Sequence, residues 1–258
     1  MSELIQVLQH GDVRELRMDR APVNALDDAL CAGLLQALQA AFDDDVAGIV
    51  LSGNARVFSG GLDVPYLLSH GDDRHALHGT WNAFFQVAKA IAAAPMPVAA
   101  ALTGHTPAGG CVLALCCDYR VMARSTDPAR PLQLGLNETQ VGLAVPDGIQ
   151  QLMRRVIGAH RAERLLVAGA MVSAEHAAEI GLIDALADDA ETTIQHAVTW
   201  LQAMAKLPQA PLRKTRHIAR ADVRAALDSV ELEDFVNDWF QPDTQAALQA
   251  MVARLKKP

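Results

Sequence analysis

A single acid stands in an otherwise uncharged stretch of the chain. The segment LGLNETQVGLAVP, residues 134–146, contains Glu138, and its only other polar side chains are Asn137, Thr139 and Gln140. A carboxyl group among apolar residues can act as an acid or a base, because burial raises its pKa towards the working pH. A solvated or helix-capping acid fits the same spacing. A proton-transfer role for Glu138 therefore needs support from elsewhere in the chain.

Two glycine turns supply such support. The segment VFSGGLDV, residues 57–64, and the segment GHTPAGGCVLAL, residues 104–115, each place adjacent glycines just before a predicted helix start. Glycine allows a tight turn with exposed amides, and the first N–H groups of a helix have no intrahelical partner and favour negative charge. Each turn alone is more often only a turn. If both point N–H groups at one place, they form an oxyanion hole.

The elements that position these motifs alternate between strands and helices over most of the chain. A hairpin that breaks at Gly11-Asp12 is predicted in residues 3–18, and an amphipathic helix with acids in its first turn in residues 24–42. Further predicted elements are buried strands in 47–53 and 95–104, a helix running into a strand in 111–123, and a short helix and strand in 173–186, with a cap at Ser173 and a stop at Gly181.

The C-terminal quarter is predicted to be wholly helical from about Glu191. Its apolar residues could pack on the core or on another subunit; they include Leu232, Phe235, Val236, Trp239 and Phe240. The last helix, in residues 242–257, is predicted to have a cap at Asp243 or Thr244 and a basic end.

Composition narrows the function classes. The chain has 258 residues, 51% of them hydrophobic, and a net charge of −8, which disfavours a nucleic-acid partner. Four cysteines without a CxxC pair predict buried thiols rather than disulfides or a metal site; they are Cys31, Cys111, Cys116 and Cys117. The polar start MSELIQVLQHGD is unlike a signal peptide, and no apolar run reaches membrane-spanning length. We expect a soluble cytoplasmic protein without a membrane partner.

Together the motifs carry a resemblance to a known family. VFSGGLDV and TGHTPAGGC resemble the turns of the crotonase (enoyl-CoA hydratase/isomerase) superfamily. Within it, PAGGCVLALCCDYRVMA, LGLNETQVGLAVP and IGAHRAERLLVAG are similar to the mitochondrial-type delta3,delta2-enoyl-CoA isomerases. The resemblance runs from about Asp12 to Leu186 and more loosely to the C-terminus. It implies an α/β fold, a crotonase-type spiral of ββα units with a helical C-terminal region.

The resemblance also implies roles for individual residues. The oxyanion-hole amides would come from Leu62 and Gly109, and Glu138 would be the catalytic acid and base. Hydratases of the family carry a second glutamate where this chain has Val112. A valine cannot hold or polarise a water molecule, whereas moving a double bond needs only one carboxyl group in a dry pocket. The implied reaction therefore converts a 3-enoyl-CoA to a 2-enoyl-CoA.

Substrate contacts and assembly are implied in the same way. The resemblance assigns substrate binding to Ala25, Ser59, Gly61, Leu62, Gly109 and Val112, with an acyl-CoA thioester as the partner and neither a metal nor a separate cofactor. Candidates for the CoA phosphates are Arg20, Arg56, Lys256 and Lys257, and Asp63 is more plausibly a helix cap than a reacting acid. Residues that could line an acyl tunnel are Leu67, Leu68, Trp81, Phe84 and Phe85.

The implied architecture is a spiral core in residues 1–195 and a helical region in residues 196–258. The helical region would cover the core and support a homotrimer or a dimer of trimers. Two other functions stay open at this point: an enoyl-CoA hydratase or another acyl-CoA activity of the superfamily, and a non-catalytic acyl-CoA-binding protein.

Overall fold

Nine strands in two sheets organise the protein, in a computed structural model that describes residues 4–255. In chain order they are β1 (Ile5–His10), β2 (Val13–Met18), β3 (Gly48–Ser52), β4 (Val98–Leu102), β5 (Thr106–Pro107), β6 (Tyr119–Ala123), β7 (Gln133–Gly135), β8 (Val172–Ser173) and β9 (Ala185–Ala187). The larger sheet has the order β1-β2-β3-β4-β6-β9, and the smaller sheet has the order β5-β7-β8.

Helices connect the strands and fill the C-terminal part. They are α1 (Asp28–Asp43), α2 (Val64–Ser69), α3 (Arg74–Ala93), α4 (Ala108–Leu115), α5 (Asp147–Ile157), α6 (Ala159–Ala168), α7 (Ala174–Glu179), α8 (Ala190–Ala205), α9 (Gln209–Ala219), α10 (Ala221–Asp228), α11 (Leu232–Trp239) and α12 (Pro242–Leu255). A 3₁₀ turn, Glu138–Val141, separates β7 from α5.

The predicted hairpin is confirmed. Strands β1 and β2 pair antiparallel, with Ile5 opposite Met18 and His10 opposite Val13. The turn between them uses Gly11 in the left-handed region, at a φ of 63°. The remaining strands of the larger sheet are parallel, from β2 through β9.

The larger sheet is covered on both faces, as a mostly parallel sheet requires. Alternate residues of β3, such as Val50, pack under α8 with Leu201, whereas Ile49 and Leu51 face the main core. This period of two fits residues whose side chains point to opposite faces. Helix α8 crosses position 195, so the division of the chain at that point stays a prediction.

The C-terminal helices pack on the core of their own chain. Helix α10 contacts α3 and α5, α11 contacts α3, and α12 contacts α2 and the 3₁₀ turn. The side chains of Phe235, Val236 and Trp239 are buried there. Of the two packing arrangements that the sequence left open for this region, the structure therefore has the one on the core.

The predicted first residue of one helix and the predicted cap of another were wrong. Helix α1 begins at Asp28 rather than at residue 24, because the Asp27 side chain caps it by accepting a bond of 2.8 Å from the Leu30 N–H. The last helix begins at Pro242, so the predicted caps Asp243 and Thr244 both lie inside α12, and the Thr244 hydroxyl donates to the Gly142 carbonyl at 2.6 Å instead of capping. The predicted basic end at Lys256 and Lys257 lies outside the described residues.

Further predictions concern a helix cap, the cysteines and membrane-spanning helices. The cap at Ser173 is confirmed by a 3.2 Å bond from the His176 N–H, and all four cysteines are buried free thiols. Within residues 4–255, no helix is both long and apolar enough to cross a membrane.

One close backbone contact sets the distance between the two glycine turns. A Cβ atom on Gly104 would lie 2.1 Å from the carbonyl carbon of Arg56 and 2.3 Å from the Val57 nitrogen. In the same place, the His105 N–H donates to the Arg56 carbonyl at 3.1 Å, and the Phe58 N–H donates to the His105 carbonyl at 3.0 Å. The chain leading to the first turn therefore lies directly against the chain leading to the second.

This contact predicts that Gly104→Ala lowers the free energy of unfolding by roughly 3 kcal/mol, because backbone cannot move aside as a side chain can. Gly79→Ala is the matched control. Gly79 lies in α3 with open space at its Cβ position, so alanine there should be neutral or raise stability by about 0.5–1 kcal/mol. Urea unfolding of both variants measures the difference, and equal stabilities would contradict the prediction.

Candidate active site

The two glycine turns meet at one end of α4. Gly61 has a φ of 82°, and a Cβ atom built on it would lie 3.1 Å from the Gly109 nitrogen and 3.0 Å from the Ala108 Cβ. A Cβ atom on Gly109 would lie 3.4 Å from the Gly61 Cα. The positive φ of Gly61 and the tight contacts at its Cβ position both favour glycine there, whereas the contact at Gly109 is an ordinary one.

The backbone pairing leaves two N–H groups free at this point. The Leu26 N–H donates to the Gly61 carbonyl at 2.8 Å, and the Asp63 N–H donates to the Leu26 carbonyl at 3.0 Å. This bridge uses the groups on either side of Leu62, so the Leu62 N–H points to the opposite edge. The Gly109 N–H lies in the first turn of α4. Among the described residues, neither N–H has a backbone acceptor.

The residue before Gly109 is in an unusual conformation. Ala108 has a φ of 45°, in the left-handed region that non-glycine residues rarely adopt. Such a residue costs on the order of 1–2 kcal/mol and occurs preferentially at functional sites. No feature of the sequence marked Ala108 in this way, since the alanine reads as an ordinary helix former.

The first turn is held by hydrogen bonds that point inwards. The Ser59 hydroxyl donates to the Asn24 carbonyl at 2.8 Å and accepts from the Gly61 N–H at 3.2 Å, and the Asn24 side-chain amide donates to the Phe58 carbonyl at 3.0 Å. Ser59 and Asn24 have no exposed surface. The Ser59 side chain therefore shapes the turn, and the predicted substrate contact at Ser59, which would use its backbone, stays a prediction.

Asp63 caps a helix and belongs to a cluster of charges that also engages Arg20, one of the candidates for binding the CoA phosphates. Asp63 caps α2 by accepting from the Tyr66 N–H at 3.0 Å, as predicted. The Arg20 guanidinium lies 2.8 Å from both Asp27 and Asp63 and donates to the Ala25 carbonyl at 2.9 Å. Arg20 is thus occupied by two carboxylates, and a CoA phosphate would have to displace them.

For the other three cations, binding to the CoA phosphates stays a prediction. Arg56 is exposed and forms no ion pair within the described part of the chain, so a phosphate contact there stays a prediction. Lys256 and Lys257 lie beyond the described residues. Gly61 is buried beneath the turn, and its carbonyl bonds to Leu26, so it contributes shape rather than a free group.

An apolar cavity of about 150 Å³ lies beside the two free N–H groups. The predicted site residues Leu62, Gly109, Val112 and Glu138 all line it. Of the residues predicted to line an acyl tunnel, Leu67, Trp81, Phe84 and Phe85 do so, whereas Leu68 does not. Sequence reasoning missed the contributions of α11 and α12, which are Phe235, Trp239 and Met251.

Glu138 is the only ionisable residue among the described residues that line this cavity. Its Oε2 atom is buried and has no hydrogen-bond partner in residues 4–255. Burial raises the pKa of the carboxyl group to about 7, against a smaller lowering by its own backbone N–H. A carboxyl group with this pKa can both take up and release a proton near neutral pH.

The arrangement therefore offers two chemical capabilities in one apolar space. The Leu62 and Gly109 N–H groups can donate to a developing oxyanion, and Glu138 can move a proton. Asn137 also lines the cavity, but no hydrogen bond joins its side chain to Glu138 among the described residues. Within the same residues, no group of three or more His, Cys, Asp and Glu side chains could hold a metal ion.

The chain is similar to known proteins over most of its length. The chain is 30% identical to human mitochondrial enoyl-CoA delta isomerase 1 over 254 residues, which cover 95% of this chain and 80% of that protein. The crystal structure of human mitochondrial delta3-delta2-enoyl-CoA isomerase matches with a TM-score of 0.90 at 26% identity, covering 98% of both chains.

A second solved structure is similar over a comparable length. An enoyl-CoA hydratase/isomerase from Mycobacterium paratuberculosis matches with a TM-score of 0.84 at 26% identity, covering 97% of this chain and 99% of that one. The model of the enoyl-CoA hydratase/isomerase family matches residues 9–254, which include both glycine turns, Glu138 and the C-terminal helices. The chain therefore belongs to the enoyl-CoA hydratase/isomerase family.

Proposed function

We propose that the protein is a delta3,delta2-enoyl-CoA isomerase, which moves the double bond of a 3-enoyl-CoA to the 2 position. The observation that carries the proposal is a lone carboxyl group, whose Oε2 has no hydrogen-bond partner in residues 4–255, in an apolar cavity that is also lined by Leu62 and Gly109, whose N–H groups have no backbone acceptor there. The names of the human relatives, which are delta isomerases, support the same reaction.

The proposed reaction uses one base and one oxyanion hole. The Glu138 carboxylate removes a proton from C2, the electron pair of that C–H bond forms a double bond between C1 and C2, and the carbonyl π pair moves onto the thioester oxygen to give a dienolate. The Leu62 and Gly109 N–H groups stabilise this oxyanion. When the carbonyl re-forms, a double bond forms between C2 and C3, and the former C3–C4 double bond takes the proton from Glu138 at C4. No net proton is gained or lost.

Val112 favours isomerisation over hydration. It is 3% exposed and lines the cavity, and its side chain can neither bind nor activate water. Hydration would require a positioned water molecule at C3, whereas the proton transfer is helped by its absence, because excluded water limits proton leakage. The trimeric assembly and the cytoplasmic location stay predictions alongside this proposal.

The first test compares substrates. Purified protein should isomerise a 3-enoyl-CoA and hydrate a 2-enoyl-CoA at least about 100-fold more slowly, because only the first reaction needs a single acid. Glu138→Gln should lower kcat for isomerisation by about 1,000-fold while acyl-CoA binding persists, because binding and proton transfer use different groups.

The matched control is Glu163→Gln, which removes an exposed carboxylate from α6 and should leave kcat unchanged. Hydration faster than isomerisation would overturn our interpretation of Val112. Full activity of Glu138→Gln would show that another group is the base, and acyl-CoA binding without any turnover of the wild type would favour a binding protein.

The raised pKa predicts the pH profile of the reaction. Because Glu138 must be ionised to accept the first proton, kcat/KM should rise with pH up to about 7 and then level off. The measurement is initial isomerisation rates at low substrate concentration between about pH 5 and pH 9. A profile that is already flat at pH 5.5 would mean that the carboxyl group titrates near its ordinary value of 4.5.

The same shift predicts a dependence of stability on pH. The folded-state pKa lies above the unfolded value, so the carboxyl group favours folding below pH 4.5 and this contribution is lost as the pH rises through about 7. Glu138→Gln lacks this loss, so its stability relative to wild type should be about 2 kcal/mol greater at about pH 8.5 than at about pH 5.5. Urea unfolding at the two pH values measures this, and an equal difference at both would refute it.

A further inference from the structure

The turn that carries Glu138 is attached to the rest of the protein from outside the cavity. The Thr139 hydroxyl donates to the Leu166 carbonyl at 3.0 Å, and the Gln140 side-chain amide donates to the Ala168 carbonyl at a longer 3.4 Å. Both acceptors lie in the last turn of α6, where helix carbonyls have unused acceptor capacity. The polar residues that follow Glu138 in the sequence thus bind the end of a neighbouring helix.

A third contact comes from the last helix. The Thr244 hydroxyl of α12 donates to the Gly142 carbonyl at 2.6 Å, and Thr244 is only 4% exposed. Gly142 ends the 3₁₀ turn with a φ of 82°, and a Cβ atom on it would lie 3.0 Å from both the Thr244 Cα and the Ala247 Cβ. Helix α12 therefore presses directly on the end of the turn.

These contacts matter because the carboxyl group has little else to orient it. Oε2 of Glu138 has no hydrogen-bond partner in the described residues. The hydrogen bond that lowers the pKa of this carboxyl group comes from the residue's own backbone N–H. That bond moves with the turn and cannot fix it. Direct hydrogen bonds from neighbours would orient the carboxylate, but they would also stabilise its charge and make it a weaker base. The backbone of the turn is the alternative means of orientation.

We propose that Thr139 and Thr244 are positioning residues, which fix the Glu138 turn from the side opposite the cavity so that the carboxyl group reaches both reacting carbons. The inference rests on the proposed function and deepens it. Proton transfer depends steeply on geometry, so a displacement of about 1 Å can cost roughly 100-fold in rate. Substrate binding uses other groups and should respond much less.

The test removes each hydroxyl with little change of shape. Thr139→Val and Thr244→Val should each lower kcat for 3-enoyl-CoA isomerisation by at least about tenfold, with KM changed by less than about twofold. Thr139→Ser and Thr244→Ser keep the donor and should retain most of the activity. Thr199→Val is the matched control, because the Thr199 hydroxyl donates at 2.8 Å to the Gln195 carbonyl on the exposed surface of α8 and should not affect kcat.

A second measurement does not need turnover. Carboxyl ¹³C NMR of protein labelled at glutamate can follow the titration of Glu138, with its resonance identified by its loss in Glu138→Gln. In wild type this titration should occur near pH 7, and in Thr139→Val and Thr244→Val the pKa should fall towards 4.5, because a loosened turn admits water to the carboxyl group. A variant that was only less stable would keep the wild-type titration while folded.

The outcomes separate the two proposals. If wild type isomerises 3-enoyl-CoA but both valine variants keep its kcat and its Glu138 titration, the positioning role is refuted and the function stands. If wild type does not isomerise this substrate, the proposed function fails, and the NMR titration still decides whether Thr139 and Thr244 hold the turn. Loss of activity in the serine variants as well would also refute the assigned role of the hydroxyls.

Discussion

The candidate site depends on two stretches of backbone lying in direct contact. At Gly104 and Gly110, a Cβ atom would overlap main-chain atoms of the other turn, at 2.1 Å from Arg56 and 2.6 Å from Ser59. Side chains can rotate away from a close contact, but paired backbone cannot without losing hydrogen bonds. The proposed donors at Leu62 and Gly109 are therefore held by the fold itself, and they need no reorganisation when charge develops.

The second constraint is a missing interaction: the Oε2 atom of Glu138 has no hydrogen-bond partner among the described residues. Burying a carboxylate without partners disfavours folding at the pH where the group is ionised. Glu138 bears this cost among apolar walls, whereas buried Glu15 does not. Glu15 accepts from Ser52 at 2.6 Å, and although burial raises its pKa, hydrogen bonds from Ser52, His10 and Arg17 bring the net value below the usual range. The same residue type is thus a structural anion in one place and the proposed proton carrier in the other.

The parts of the site that could be predicted from sequence are those set by local pattern. Adjacent glycines before a helix and one acid in an apolar segment are visible without coordinates, and the structure brings both to the same cavity. The direction of the Ser59 hydroxyl could not be predicted, because it depends on the carbonyl of Asn24, which lies far away in sequence. The strands β5, β7 and β8 have two or three residues each, too few to show a period of two.

For packing between distant parts of the chain, the sequence indicated that a face is buried but not which residues it contacts. The apolar spacing in α11 indicated a buried face, but it could not say that Phe235 and Trp239 would line the cavity rather than fill a subunit contact. The start of α1 was misplaced because Leu26 fits the apolar spacing of the helix with Leu30, whereas its backbone groups pair with the neighbouring turn. In both cases the deciding interaction joins residues that lie far apart in the chain.

The C-terminal region also acts on the site from the far end of α4. That helix is wholly apolar and ends at Leu115, and the carbonyls that follow its end, those of Cys116 and Cys117, accept from donors elsewhere in the chain. Arg120 donates to the Cys117 carbonyl at 3.1 Å, and Arg220, at the junction of α9 and α10, donates to the Cys116 and Cys117 carbonyls. Asp118 lies 3.0 Å from Arg220 and balances its charge. Cations at this end suit the helix dipole, while at the opposite end the Gly109 N–H has no backbone acceptor among residues 4–255. Under the proposed function, the developing oxyanion at the glycine turns is the acceptor for this N–H group.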